Sequence, residues 1–226
     1  TGILDSSGAT YTKTSDGAGG YTITMPENTN YIGQPTRLNG QIKPMLDRAL
    51  WSEPSEIVVN QHNSGKPIFP FVVMTAAESH FMVAEAITKG LASGDAQGHY
   101  QTGLRHAMSL WDVSSADIEN FIATESMALL NGSTDQNLEK IATQRWIALF
   151  TNGYEAWAVV RDTGYPTELS AGVSDDDIFV LGDLNGAYPQ RHRYGTGPYN
   201  TNAANVEQAN SEQGPDVQAT KLWWAK

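Results

Sequence analysis

The side chains of this sequence best suited to chemistry are aromatic rings among small polar residues. Tyr31, Trp51, Tyr188, Tyr194 and Tyr199 stand in stretches rich in Asn, Gln, Gly and Arg. Aromatic faces stack on the C–H faces of sugars, while amides and guanidinium groups meet hydroxyls, so the mixture suits oligosaccharide. The same rings would equally serve to pin loops onto small satellite cores. Tyr31 and Trp51, in loops before the first long helix, and Tyr194 and Tyr199, near the C-terminus, are the candidate ligand-binding residues.

Catalytic groups are harder to assemble. A glycosidase needs two carboxylates about 5–9.5 Å apart across a cleft. Glu78 and Glu85 are seven residues apart and would share a helix face about 10 Å apart along the axis. A solvated helix face or local caps are the ordinary explanation for them. Asp175-Asp176-Asp177 and Asp183-x-Asn185-Gly186 hint at a calcium loop but lack its full ligand pattern and closing Glu. Of the five histidines, His99 and His106 fall on adjacent turns of one expected helix face, with no partner pattern to complete a metal site. No Gly-x-Ser-x-Gly, phosphate loop or dinucleotide fingerprint occurs. The expectation is therefore no catalytic residue, no metal ligand and no cofactor; nothing in the sequence requires an enzyme.

The segment "QRWIALFTNGYEAWAVVRDTGYP" (144–166) concentrates aromatics around Asn152-Gly153. Trp146 and Phe150 are four apart, as are Trp157 and Arg161, a spacing that allows a cation–π contact. Such a stripe forms either the core of a helical hairpin or a sugar platform. Amphipathic aromatic stripes ordinarily face a core.

The elements that must carry these residues are mostly helices. In 71–90, Ala77, Phe81, Ala84 and Ile87 or Thr88 recur at helical spacing, and Gly90 supplies a stop. In 96–113, Tyr100, Leu104, Ala107, Met108 and Trp111 share a face. Ser114 or Ser115 is placed to cap the next helix, 115–126. Ser133 and Gln136 form a capping-box pattern before 135–150, where Leu138, Ile141, Trp146 or Ile147, and Phe150 would make the buried stripe. Asn-Gly breaks that period, and a further helix runs to Gly164 and Pro166. Residues 1–66 look loop-rich, with a short strand at 20–26 and a short helix at 44–50. Residues 167–226 look irregular. The expected layout is one region, mainly α, with a helical core over 67–166, tetratricopeptide-like hairpins, long loop-rich flanks and little sheet.

Composition excludes several classes. A net charge of −11 over 226 residues argues against nucleic acid and against electrostatic docking on anionic lipid. Without cysteine, disulfides, Cys-ligated zinc and thiol nucleophiles are ruled out. The most apolar run, 68–77, is far short of the about 20 residues that span a bilayer, and Pro70 interrupts it. The chain begins at Thr1, which points to processing or to a piece of a longer protein.

Taken together, several of these motifs resemble the C-terminal part of the SusD/RagB family of outer-membrane nutrient-binding lipoproteins of Bacteroidetes. The main match is "LEKIATQRWIALFTNGYEAWAVVRDTGYP" (138–166), similar to a Gln-Lys/Arg-Trp helix followed by Glu-Ala-Trp and Arg-x-Thr-Gly. "MTAAESHFMVAEAITKG" (74–90), "GHYQTGLRHAMSLWDV" (98–113), "YIGQPTRLNG" (31–40) and the closing "KLWWAK" follow the family order. Near the C-terminus Pro189, Arg191 and Tyr194 are kept, but Gly195 and Tyr199 depart from the family pattern. The resemblance implies a tetratricopeptide-like scaffold and non-catalytic capture of oligosaccharide or another complex nutrient at the cell surface. It implies delivery to a TonB-dependent (SusC-like) transporter, and membrane contact only through a lipid anchor outside this chain. It also implies a structural part for Gln144, Trp146, Glu155, Trp157 and Arg161, hence a core hairpin. The alternative is a helical-repeat module that binds the transporter complex without glycan affinity of its own; a glycoside hydrolase fragment is a third reading.

Overall fold

A computed structural model of the chain describes residues 12–15, 17, 18, 21–24, 40, 52, 54, 58, 72–176 and 179–225. The chain divides into two compact units: 1–70 with 174–182, and 71–173 with 183–226. In the first, β1 (Thr12–Ser15) pairs antiparallel with β2 (Tyr21–Thr24), Thr12 facing Thr24 and Ser15 facing Tyr21. β2 is the strand expected at 20–26. The expected helix at 44–50, and both Tyr31 and Trp51, lie outside the described residues.

The second unit is helical. Its main elements are α1 (Ala76–Thr88), α2 (Ala96–Ser109), α3 (Ser115–Thr124), α4 (Thr134–Ala148) and α5 (Gly153–Thr163). Each begins where the sequence offers a cap. Thr75, Asp95, Ser114, Ser133 and Asn152 accept from the backbone N–H three residues on, and Ser133 with Gln136 completes the capping box. Gly164 (φ 75°) closes α5 in the left-handed conformation that glycine adopts without penalty.

The core lies between α1 and α2, with α3 and α4 against them. Ala77, Phe81, Ala84, Tyr100, Leu104, Ile118, Ile122, Ala128 and Ile141 form one buried cluster. Phe81 meets Tyr100 at 5.9 Å between ring centroids and fits over Gly103, where the absent side chain lets α2 approach. The buried Tyr100 hydroxyl donates to Met127 O at 2.7 Å, and burial raises its pKa far above the ordinary phenol value. The 126–130 turn is fastened from two sides. Gln97 donates to Ala128 O and accepts from Leu130 N–H (2.9 and 2.7 Å), and Lys140 Nζ donates to Ser126 O and Leu129 O. A second cluster (Ala142, Leu149 and Val159, with Trp146 and Tyr165 beside it) seals the α4–α5 hairpin.

Three sequence expectations are corrected here. Along 135–150, Ile141 and Leu149 turn inward and Trp146, one of the two alternatives at its position, packs into the hairpin, while Ile147 and Phe150 are half exposed. The helix ends at Ala148, so Phe150 leaves the 3.6-residue register and meets Trp111 at 5.5 Å instead. Glu78 is not on a solvated face. It is buried, and Arg145 of α4 reaches both Glu78 (3.3 Å) and Glu85 (3.7 Å). A buried carboxylate needs such a partner, because desolvating a lone charge costs several kcal/mol. Finally, 167–226 is not wholly irregular. It carries α6 (Thr167–Ser170), α7 (Thr196–Thr201) and the 11-residue α8 (Ala203–Gln213). α8 buries only Val206, so it has no apolar stripe for periodicity to reveal.

Candidate functional site

An open pocket of about 600 Å³ lies where the N-terminus of α5 faces the 189–192 loop. Tyr154, Trp157 and His192 wall it, and Asn152, Arg191 and Gln218 add polar groups. Tyr154 and Trp157 are three apart on α5 and so share a helix face. His192 packs against both, with ring centroids 4.9 Å from Trp157 and 5.8 Å from Tyr154. Tyr154 is 73% exposed, leaving its ring free for a ligand.

The wall is held from behind. Trp157 Nε1 donates to Pro189 O at 2.8 Å, and Arg161 Nη1 donates to Gln190 O at 3.1 Å. The Arg161 guanidinium lies 4.6 Å from the Trp157 ring centroid, the cation–π pair that the four-residue spacing allows. The same loop is tied to the C-terminal segment, where Gln190 N–H and Arg191 N–H both donate to Gln218 O. The indole is thus fixed by a hydrogen bond at its edge and a cation on its face. Such preorganisation reduces the ordering cost of binding.

Below the loop sits a buried ion pair. Arg191 Nη2 donates to Asp216 Oδ1 at 3.0 Å, with both side chains 5% exposed. Asp216 also accepts from Tyr194 N–H and, at 2.8 Å, from the Tyr199 hydroxyl. That hydrogen bond to the carboxylate is the main reason the Tyr199 pKa is raised above the ordinary phenol value. The Arg191 guanidinium lies 4.9 Å from the Tyr194 ring, and Gln213 Nε2 donates to the Tyr194 hydroxyl.

The structure therefore brings two of the four sequence-predicted ligand residues together. Tyr194 and Tyr199 meet around Asp216, 38% and 43% exposed, with their hydroxyls engaged. Arg191 links them to the pocket, since it contributes to the pocket wall and stacks on Tyr194. Of the pocket's aromatics, the sequence reading weighed Trp157 as sugar platform or hairpin core and favoured the core, and it singled out neither Tyr154 nor His192 as a ligand residue. Trp146 is a hairpin-core residue as expected, but Trp157 is not: it faces Pro189 and the pocket. The Trp157–Arg161 spacing was the available signal, because a ring that binds a cation has one face outside an apolar core. Among the described residues, no group of three or more His, Asp or Glu side chains is placed to hold a metal ion. Asp183 of the suspected calcium loop instead pairs with Arg193 at 2.8 Å.

Comparison with known proteins accords with this architecture. A family model of SusD-like proteins, described as starch-binding and associating with the outer membrane, matches residues 23–194. Among solved structures, a SusD-like protein from Bacteroidetes AC2a is 28% identical with a TM-score of 0.61, the match covering 69% of this chain and 30% of that one. A SusD-like protein from Bacteroides thetaiotaomicron VPI-5482 is 30% identical with a TM-score of 0.57, covering 72% of this chain and 39% of the other. A chitin-binding protein is 26% identical with a TM-score of 0.56, covering 66% and 32%. The chain thus spans well under half the length of these relatives. No functionally curated protein matches it in sequence.

Proposed function

We propose, on the premise that this chain belongs to the SusD-like family, that it captures oligosaccharide without turning it over, at the outer surface of an outer membrane. In this reading the aromatic-walled pocket at the start of α5 contacts the glycan. Tyr154 and Trp157 offer stacking faces, and Asn152 and Gln218 offer amide groups to hydroxyls. Tyr194 and Tyr199 flank the contact beyond Arg191; Tyr31 and Trp51 are proposed as ligand residues of their own unit, separately from this pocket. The observation that carries the proposal is the fixed indole of Trp157, held by Pro189 and Arg161 at the edge of an open pocket. The likeness to a chitin-binding protein favours a glycan over other nutrients.

Non-catalytic capture is supported by the carboxylates. Glu78 and Glu85, the pair weighed for glycosidase chemistry, both answer Arg145 in helix packing. A partner is needed to carry the ligand inward. The described residues include no helix long and apolar enough to cross a membrane, and the family's association with the outer membrane favours a TonB-dependent transporter as that partner. A lipid anchor outside this chain would supply the membrane attachment.

The test is isothermal titration of chito- and malto-oligosaccharides into the protein and its Trp157→Ala and Tyr154→Ala variants. We expect saturable binding without release of reducing ends, weakened at least tenfold by Trp157→Ala. Binding unchanged in both variants would remove the pocket from the site. Glycan silence together with transporter co-purification would favour the interaction-module reading.

A further inference from the structure

The turn between α4 and α5 holds a side chain that its backbone does not suit. Asn152 N–H donates to Leu149 O at 2.8 Å, so Leu149 to Asn152 close as a β-turn with Phe150 and Thr151 at its centre. Thr151 has φ 81° while Phe150 keeps a negative φ, as in a type II turn. The second central position of that turn is ordinarily glycine or asparagine. Among the described residues, the other non-glycine residues with positive φ are Asp112 and Asn185, types that tolerate the left-handed region. A β-branched side chain there is strained.

The fold requires this backbone but not this side chain. The turn ends α4 and sets Asn152 to cap α5, where its Oδ1 accepts from Glu155 N–H and its carbonyl from Ala156 N–H. Glycine or asparagine at 151 would make the same turn with less strain. The Thr151 side chain is exposed, and its hydroxyl makes no hydrogen bond to any described residue. Neither burial nor an internal partner therefore accounts for it. What it does is line the pocket beside Tyr154 and Trp157. Resting on the glycan reading of that pocket, we propose that the Thr151 hydroxyl hydrogen-bonds a sugar hydroxyl, and that the strained turn holds it at the pocket rim before the ligand arrives. A hydroxyl both donates and accepts, which matches the sugar group it would meet. Asn152 Oδ1 is already engaged by the helix cap, so Thr151 supplies the acceptor at this end of the pocket. Its β-branched side chain is stiff about χ1, so little freedom is lost on binding. Strain of this kind persists where a site uses it.

The experiment titrates chitohexaose and maltohexaose by calorimetry into the parent and into Thr151→Val, Thr151→Ser, Thr151→Gly and Trp157→Ala, with the melting temperature of each. Thr151→Val keeps the shape and the strain but removes the hydroxyl, and should lose at least threefold in affinity, the worth of one hydrogen bond. Thr151→Ser keeps the hydroxyl and should stay within twofold of the parent. Thr151→Gly should lose at least threefold in affinity yet melt about 2–4 °C higher, because the turn is relieved. Affinity and stability moving in opposite directions is the signature that a merely structural residue would not give. If Trp157→Ala weakens binding while Thr151→Val and Thr151→Gly bind as the parent does, this inference fails and the pocket assignment stands. Thr151→Gly melting below the parent would refute the strained turn. A parent silent to both sugars would overturn the glycan reading, and this inference with it.

Discussion

Replacing Gly103 by alanine tests the packing on which the helical unit rests. Gly103 sits inside α2, directly over the Phe81 ring of α1. A Cβ there would lie 2.6, 2.8 and 3.0 Å from Cε1, Cδ1 and Cζ of Phe81. Phe81 has no exposed surface and abuts Tyr100, so the ring cannot swing aside without moving its neighbours. Helix propensity alone favours the substitution by about 1 kcal/mol. Overpacking a filled core costs about 1–3 kcal/mol, and three contacts at or below ordinary limits place this case near 3. The net expectation is a loss of about 2 kcal/mol, or a melting temperature lower by about 4–8 °C for a chain of this size. Differential scanning calorimetry reads it directly. Gly153→Ala is the control: a Cβ there meets nothing within 4 Å, so stability should hold or rise slightly. The sign decides the matter. Gly103→Ala melting at or above the parent would mean that α1 and α2 do not approach this closely, and the hydrogen bond between His80 on α1 and His99 on α2, 3.0 Å between Nδ1 atoms, would fall with that contact.

Two further outcomes follow from the charged pairs. Asp216→Ala strands the buried Arg191 and releases Tyr199, so it should cost about 3–5 kcal/mol and expose the 190–216 segment to limited proteolysis; a variant as protease-resistant as the parent would contradict this. Arg105 holds Glu119 with two hydrogen bonds, 2.7 and 2.9 Å, joining α2 to α3. Those bonds, chiefly, lower the Glu119 pKa. A depressed carboxylate pKa means the unfolded chain binds the proton more readily. This small, solvent-screened contribution to stability is therefore present above the ordinary glutamate pKa and is lost as pH falls through the depressed value. Carboxylate NMR titration should place Glu119 below the ordinary value and show it rising in Arg105→Gln; an identical titration in both proteins would exclude the pairing.

What the sequence determined by itself was local. The capping box of Ser133 and Gln136, a cap at Ser114 or Ser115 (Ser114 in the structure), the break at Asn152-Gly153, the stop at Gly164 and the Trp157–Arg161 pair all depend on residues within one helical turn or two. Helix geometry fixes such contacts wherever the helix lies, so spacing suffices to read them. Membership of the family, carried by motifs in order along the chain, was legible for the same reason. Tertiary structure decided the rest. Arg145 answers Glu78 across 67 residues, Pro189 accepts from Trp157 across 32, and His80 meets His99 across 19. Each depends on which helix face meets which neighbour, and spacing carries no information about that. Exposed Glu78, core Trp157 and lone histidines were the default readings of single helices. Packing against α4, the 189–192 loop and α1 turned them into a buried ion pair, a pocket wall and a facing imidazole pair.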